Sequence, residues 1–138
     1  YILNHRKNNE IKTTFDLIDV LKPIIPIKSK NKFLAQIFQA IRIEVNNELE
    51  VLKSFLKQSS NLLKPGGRIV CISYHSLEDR YVKYFFQNGN FHKNGEKDFF
   101  GNPLKVLFKV GKLIIPSKEE IKMNPRSRSA KLRIAEKK

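Results

Sequence analysis

Lys64-Pro65-Gly66-Gly67-Arg68-Ile69-Val70-Cys71-Ile72-Ser73-Tyr74-His75-Ser76-Leu77-Glu78-Asp79-Arg80 decides how this 138-residue chain is read. The Pro-Gly-Gly turn ends whatever precedes it. Residues 68–74 form an almost uninterrupted β-forming run, the pattern of a strand covered on both faces, which favours a parallel α/β sheet. Cys71, in the middle of the run, reads as an inert core thiol. The polar turn from His75 to Arg80 opens a helix over 76–88, with Leu77, Tyr81, Tyr84 and Phe85 on its apolar face. Ser76 and Asp79 have the spacing of a capping box.

Upstream, residues 33–63 keep a helical period. Leu34, Ile37, Phe38, Ile41, Val45, Leu49, Leu52, Leu56 and Leu63 share one broad face, opposite Glu44, Asn47, Glu48, Glu50, Lys53 and Lys57. One long amphipathic helix, with room for a single break, is predicted. In residues 1–32 a short helix capped by Thr13 or Thr14 runs to about Leu21, where Pro23 and Pro26 stop it. Downstream, 89–103 is a Gly- and Asn-rich loop and Val106–Ile115 a strand or ribbon around Gly111. Ser117 with Glu119 and Glu120 starts a short helical turn, and residues 130–135 alternate as an edge or final strand. Helix, strand, helix, strand, strand is the second half of an open α/β sheet.

Composition narrows the function. The chain is 41% hydrophobic and 29% charged, enough for one real core and too apolar for disorder. No window holds eighteen uninterrupted apolar residues, so no membrane span is expected. A single cysteine fits a reducing compartment. The net charge of +14 is partly a matter of lysine abundance, but its distribution is informative: residues 104–138 hold eleven Lys/Arg against three acids, and three of the seven arginines lie between Arg126 and Arg133. Arginine's planar fork suits phosphates and base edges. His5, His75, His92 and Cys71 show no ligand spacing, so no metal site is expected. Gly66-Gly67 precedes a strand, whereas a dinucleotide loop follows one.

Two segments are therefore candidates for function. The turn after the strand sits where open α/β sheets place ligands, which marks His75, Ser76, Asp79 and Arg80. The same residues have a plain structural use: Ser76 and Asp79 as a cap, and Arg80 as partner to Glu78 or a core carboxylate. In Asn124-Pro125-Arg126-Ser127-Arg128-Ser129-Ala130-Lys131-Leu132-Arg133, interleaved Arg and Ser suit phosphate contact. The structural counterpart there is a solvated basic edge that deters sheet-to-sheet pairing.

These two segments, preceded by Phe38-Gln39-Ala40-Ile41-Arg42-Ile43-Glu44-Val45-Asn46-Asn47-Glu48-Leu49, together resemble the C-terminal part of the bacterial 16S ribosomal RNA (cytosine-N4)-methyltransferase family. The resemblance covers about residues 33–138, and Ile72–Arg80 is its most specific part. It implies the C-terminal half of a class I S-adenosylmethionine-dependent, Rossmann-like sheet. Residues 1–32 would end an inserted helical substrate domain, Arg68–Tyr74 would be the fifth strand, and residues 104–138 would supply terminal strands ending in a hairpin.

The activity implied is methylation of a cytidine amine in 16S rRNA of the small ribosomal subunit, in the cytoplasm. His75, Ser76, Asp79 and Arg80 would shape the target-base pocket, and Arg126, Arg128, Lys131 and Arg133 would contact RNA. Departures from the family pattern are Tyr74, where phenylalanine is common, and the Lys32–Gln36 lead into the first segment. The family's glycine-rich methyl-donor loop, its ribose-binding acid and its Asp-Leu-Gly-Val-Ser-Ser-type stretch would lie upstream of Tyr1. No cofactor-binding residue is therefore assigned within this chain. Half a sheet exposes strand flanks, so the isolated chain is expected to be unstable, to self-associate as a homodimer, or to pair with an N-terminal half. The rival readings are a non-enzymatic basic RNA-binding module from a truncated or decayed gene, and a purely structural α/β fragment.

Overall fold

The computed structural model describes residues 1–95, 98–101 and 106–138. It divides into two compact units, residues 1–48 and 49–138.

In the first unit, α1 (Ile2–His5) leads to α2 (Thr14–Leu21). The cap of α2 is Thr13: its hydroxyl accepts from the Asp16 amide at 3.1 Å while the Asp16 carboxylate accepts from the Thr13 amide at 2.8 Å. Two backbone donors that the helix leaves open are thereby satisfied. Leu17 and Leu21 are the buried residues of α2. Pro23 and Pro26 confine the next segment to 3₁₀ turns at Lys22–Ile24 and Ile27–Ser29, before α3 (Lys30–Val45).

The long amphipathic helix has its single break at Asn46-Asn47. There Asn47 takes φ 51°, a left-handed conformation that asparagine tolerates better than most residues. Arg42 grips Glu48 past the break with two hydrogen bonds, at 2.8 and 3.1 Å. From there α4 (Glu48–Leu62) carries the chain into the second unit.

Lys64–Gly67 closes as a type II turn. Pro65 occupies the first central position, Gly66 the second with φ 81°, and the Gly67 amide donates to the Lys64 carbonyl at 2.9 Å. A Cβ at Gly67 would stand 2.9 Å from that same carbonyl oxygen, so both glycines are required.

The turn delivers β1 (Arg68–Ser73), which α5 (Ser76–Asn88) links to β2 (Phe108–Val110); α6 (Lys118–Met123) and a 3₁₀ turn (Pro125–Ser129) precede β3 (Lys131–Lys137). The sheet order is β1-β3-β2, with β3 antiparallel to both neighbours. It follows that β1 and β2 run parallel to each other, joined by a helix, with the last strand slotted between them. The parallel character read from residues 68–74 is thus between β1 and β2, and every hydrogen-bonded ladder among the described residues is antiparallel. Residues 131–137 form the central strand, not an edge, which removes the reading of this segment as an aggregation-deterring edge.

The core lies on one face of this sheet. Leu56 from α4, Val82, Phe85 and Phe86 from α5, and Ile69, Phe108 and Ala135 from the strands form it. Phe86 and Phe108 are fully buried, their rings 5.6 Å apart. Each such side chain contributes on the order of 1.5–3 kcal/mol of burial. Cys71 packs against this cluster, and burial pushes its thiol pKa up, as befits an inert core cysteine.

The opposite face is different. Val70 is 55% exposed and Ile72 57%, although the run reads as covered on both sides. Val70 faces Ile134, Ile72 faces Leu132, and Leu132 also bridges Ile114, so an apolar strip crosses the open face. The capping residue of α5 also differs from expectation. It is His75, not Ser76, whose ring accepts from the Glu78 amide, and Ser76 is the first helical residue. Of the loop and terminal-strand spans, residues 96–97 and 102–105 lie outside those described.

Candidate functional site

The last residue of β1 and the first turn of α5 are joined by only Tyr74 and His75. A connection this short forces its side chains to complete the backbone hydrogen bonding of the helix start. His75 Nδ1 accepts from the Glu78 amide at 3.4 Å, and the Glu78 carboxylate reaches back to accept from the Tyr74 amide at 3.2 Å. Because Nδ1 accepts, the neutral ring carries its proton on Nε2. That nitrogen is buried and makes no aligned hydrogen bond, with Glu78 Oε1 standing 3.2 Å away but out of line. His75 therefore presents a donor whose bonding capacity is unfilled.

One turn further, Asp79 is buried with 7% exposure. Arg133 donates to it through Nε at 2.7 Å and Nη2 at 3.1 Å, and Lys131 Nζ adds a third bond at 3.2 Å. Burial pushes the Asp79 carboxyl up, but the hydrogen bonds and charges of Arg133 and Lys131 outweigh it and hold the pKa below its ordinary 3.8. The fork-on-carboxylate geometry pins α5 to the central strand.

The basic tail is built by local hydrogen bonding around Asn124. Its side-chain oxygen accepts from the Arg126 amide at 3.2 Å, and its carbonyl accepts from the Ser127 hydroxyl at 2.8 Å. Ser127 is thereby buried, while Arg126 and Arg128 on either side of it are exposed. Neither arginine makes an ion pair or side-chain hydrogen bond among the described residues. A shallow cleft lies between this turn and the end of β1. Ile72 and Tyr74 line it from the strand side, and Asn124, Ser127 and Leu132 from the tail, with Glu120 of α6 at its rim. It sits at the carboxyl end of β1, where sheets of this kind accept ligands.

A profile of the MraW methylase family matches residues 1–138. The chain belongs to the MraW methylase family. It is 61% identical over 137 residues to the ribosomal RNA small subunit methyltransferase H of Flavobacterium johnsoniae, a match covering 99% of this chain and 45% of that protein. The proteins of the same name from Christiangramia forsetii and Karelsulcia muelleri are 58% identical over 136 residues and 56% over 138, again with 99% of this chain and 45% of theirs covered. The chain thus spans just under half the length of the curated relatives it matches. Its mixed helix-and-strand structure, with a small antiparallel sheet, agrees with the C-terminal part of an MraW-type methyltransferase.

Within this MraW-family chain, two of the three diagnostic segments converge. Tyr74 and the Asn124–Ser127 turn line one cleft, and Asp79 ties the same two segments together through Lys131 and Arg133. The eight singled-out residues do not form one cluster. Ser76 is exposed at the helix start, and Arg80 lines a separate groove with Tyr81 and Tyr84. Arg133, 12% exposed at its side chain, and Lys131, at 40%, are held by Asp79. Tyr74 and Glu78 were absent from the sequence-derived set. A signal existed for both: Tyr74 continues the outward parity of Val70 and Ile72, and Glu78 is the third residue after the cap.

Proposed function

We propose that the chain is the C-terminal part of an enzyme that methylates the exocyclic N4 of a cytidine in the 16S rRNA of the small ribosomal subunit, using S-adenosylmethionine. The observation that carries this reading is the convergence of the turn after β1 and the Arg-Ser turn on one cleft at the carboxyl end of the strand. The relatives, named as ribosomal RNA small-subunit methyltransferases, support it and do not favour a non-enzymatic module. Such a substrate places the enzyme in the cytoplasm. Among the described residues, no helix is long and apolar enough to cross a membrane.

The donor, when bound, supplies an electrophilic methyl group that the cytidine amine attacks. We assign its binding to residues outside this segment, as the family resemblance implies. The chain's own residues have three tasks. His75 caps α5 and so holds the turn beside the target base, Tyr74 walls the cleft against water, and Arg126 and Arg128 hold RNA phosphates. Asp79, Lys131 and Arg133 act through position, keeping the two segments in register. The apolar strip Val70–Ile72–Leu132–Ile134 supports an N-terminal half covering the open sheet face.

The test is transfer of labelled methyl to unmethylated small subunits, by the chain alone and by the chain mixed with the part of the F. johnsoniae relative that it does not match. Transfer only in the mixture is expected. Transfer by neither overturns the reading. For the RNA contact, Arg126→Ala with Arg128→Ala is expected to weaken rRNA binding and lower the log–log salt slope by about two. An unchanged slope would remove these arginines from the interface.

A further inference from the structure

On α5, Leu77, Arg80, Tyr81 and Tyr84 recur at the spacing that puts side chains on one stripe of a helix. The segment after the helix folds back onto that stripe. The Asn88 side-chain amide donates to the carbonyls of His92 and Lys93, at 2.9 and 3.2 Å, which fixes Phe91, His92 and Lys93 along the stripe as the other wall of a groove. Two lysines of α4 reach the same aromatics. Lys53 Nζ stands 4.7 Å from the centre of the Tyr81 ring, and Lys57 Nζ 5.7 Å from that of Phe91.

The aromatic rings here are not all consumed by packing. Phe91 lies stacked on Phe85 at 5.1 Å and meets Tyr81 edge-on at 5.9 Å. Tyr84 makes no ring contact among the described residues and is half-buried, so one face of its ring is on offer. The charge is one-sided. Lys53 is paired with Glu50 at 2.6 Å, whereas Lys57, Arg80 and Lys93 have no carboxylate partner among the described residues. The groove starts at the amino end of α5, directly after the strand end beside which the target base is proposed to sit.

Unpaired cations interleaved with an open aromatic face match one ligand chemistry: a single-stranded polyanion that carries flat bases. We infer that this groove binds one or two unpaired nucleotides of RNA, a base stacking on Tyr84 and the phosphates held by Arg80 and Lys93. The inference rests on the RNA-substrate reading above and adds to it a second contact, apart from Arg126 and Arg128. Its consequence is a preference for single-stranded over duplex RNA, because a paired base has no free face to stack.

The experiment compares the affinity of labelled oligouridine with that of an RNA duplex of equal length, by fluorescence anisotropy at physiological salt. Tyr84→Leu is expected to weaken oligouridine binding about tenfold, in line with the loss of one base–aromatic stack, while Tyr84→Phe binds as the parent does. Duplex affinity is expected to change in neither. Arg80→Gln, at an exposed position, is expected to lower the salt slope for oligouridine by about one. Equal oligouridine binding by Tyr84→Leu and the parent would overturn the proposal, and is what a groove made for a protein partner would show. Methyl transfer by the parent mixed with the unmatched part of the F. johnsoniae relative separates the two readings: transfer there with insensitive groove variants sinks the groove alone. No transfer in that mixture together with no RNA binding by the parent sinks both.

Discussion

Asp79→Ala is expected to destabilise the second unit by about 3–5 kcal/mol, the cost of leaving a buried charge without its partner. Two cations lose their acceptor, but unequally. Lys131, 40% exposed at its side chain, can swing its ammonium into water; Arg133, at 12%, cannot. The loss therefore resides mainly in the Arg133–Asp79 fork, and Asp79→Leu combined with Arg133→Met is expected to recover most of it, since an apolar pair of similar size carries no desolvation cost. Urea melts of the parent, the single variant and the double variant decide the matter. A single-variant loss under about 1 kcal/mol would mean that the triad is a solvated contact and not a clamp.

The same carboxylate sets an acid limit. Its folded-state pKa is depressed below the ordinary 3.8. The stability it contributes is fully present above that value and is lost as pH falls through the folded pKa. Asp79→Asn should therefore flatten the acid limb of the stability profile below about pH 4 and leave the shape above pH 5 unchanged. Because the clamp joins α5 to β3, acid would also loosen the cleft formed by Tyr74 and the Asn124–Ser127 turn before the phenylalanine core gives way.

Local chemistry made much of this structure legible in the sequence. The Pro65-Gly66 turn, the Thr13 cap, the bounds of α5 and the Ser117 start of α6 all follow from residues within four positions of one another. The long-range pairing did not. Residues 68–74 read as covered on both faces because an apolar run carries no label for which neighbour covers it; the structure buries Ile69 and leaves Val70 and Ile72 open. Likewise Asp79, Lys131 and Arg133 each looked suited to base or phosphate contact. Only the register that sets Ser73 opposite Lys131 and Cys71 opposite Arg133 turns those cations toward the helix. Arg126 and Arg128 kept their candidacy because the hydrogen bonds that bury Ser127 turn both outward, a local effect.

Ile72→Lys is the substitution that most sharply divides the chain alone from the chain paired with the proposed N-terminal half. At 57% exposure Ile72 gives up little by itself, so the variant's own melting should move by no more than about 0.5 kcal/mol. In the assembled enzyme, the strip of Val70, Ile72, Leu132 and Ile134 is the surface on which the N-terminal half is proposed to lie. An unpaired ammonium trapped there costs several kcal/mol, and a loss of about 3 kcal/mol is more than a hundredfold in affinity. The variant is therefore expected to bind the unmatched part of the F. johnsoniae relative more than a hundredfold more weakly, and to lose methyl transfer in the mixture at concentrations where the parent is active. It should also reduce any self-association of the chain, because the same strip is the apolar surface available to a second copy. Gln87→Ala, exposed on α5 across the sheet from the strip, should change none of these. Titration by calorimetry with both variants separates the outcomes. A change of less than about threefold for Ile72→Lys would show that the open face stays open in the enzyme. The proposed covering of β1 would then have to be abandoned, while the Asp79 clamp and the groove beside Tyr84 would keep their own tests.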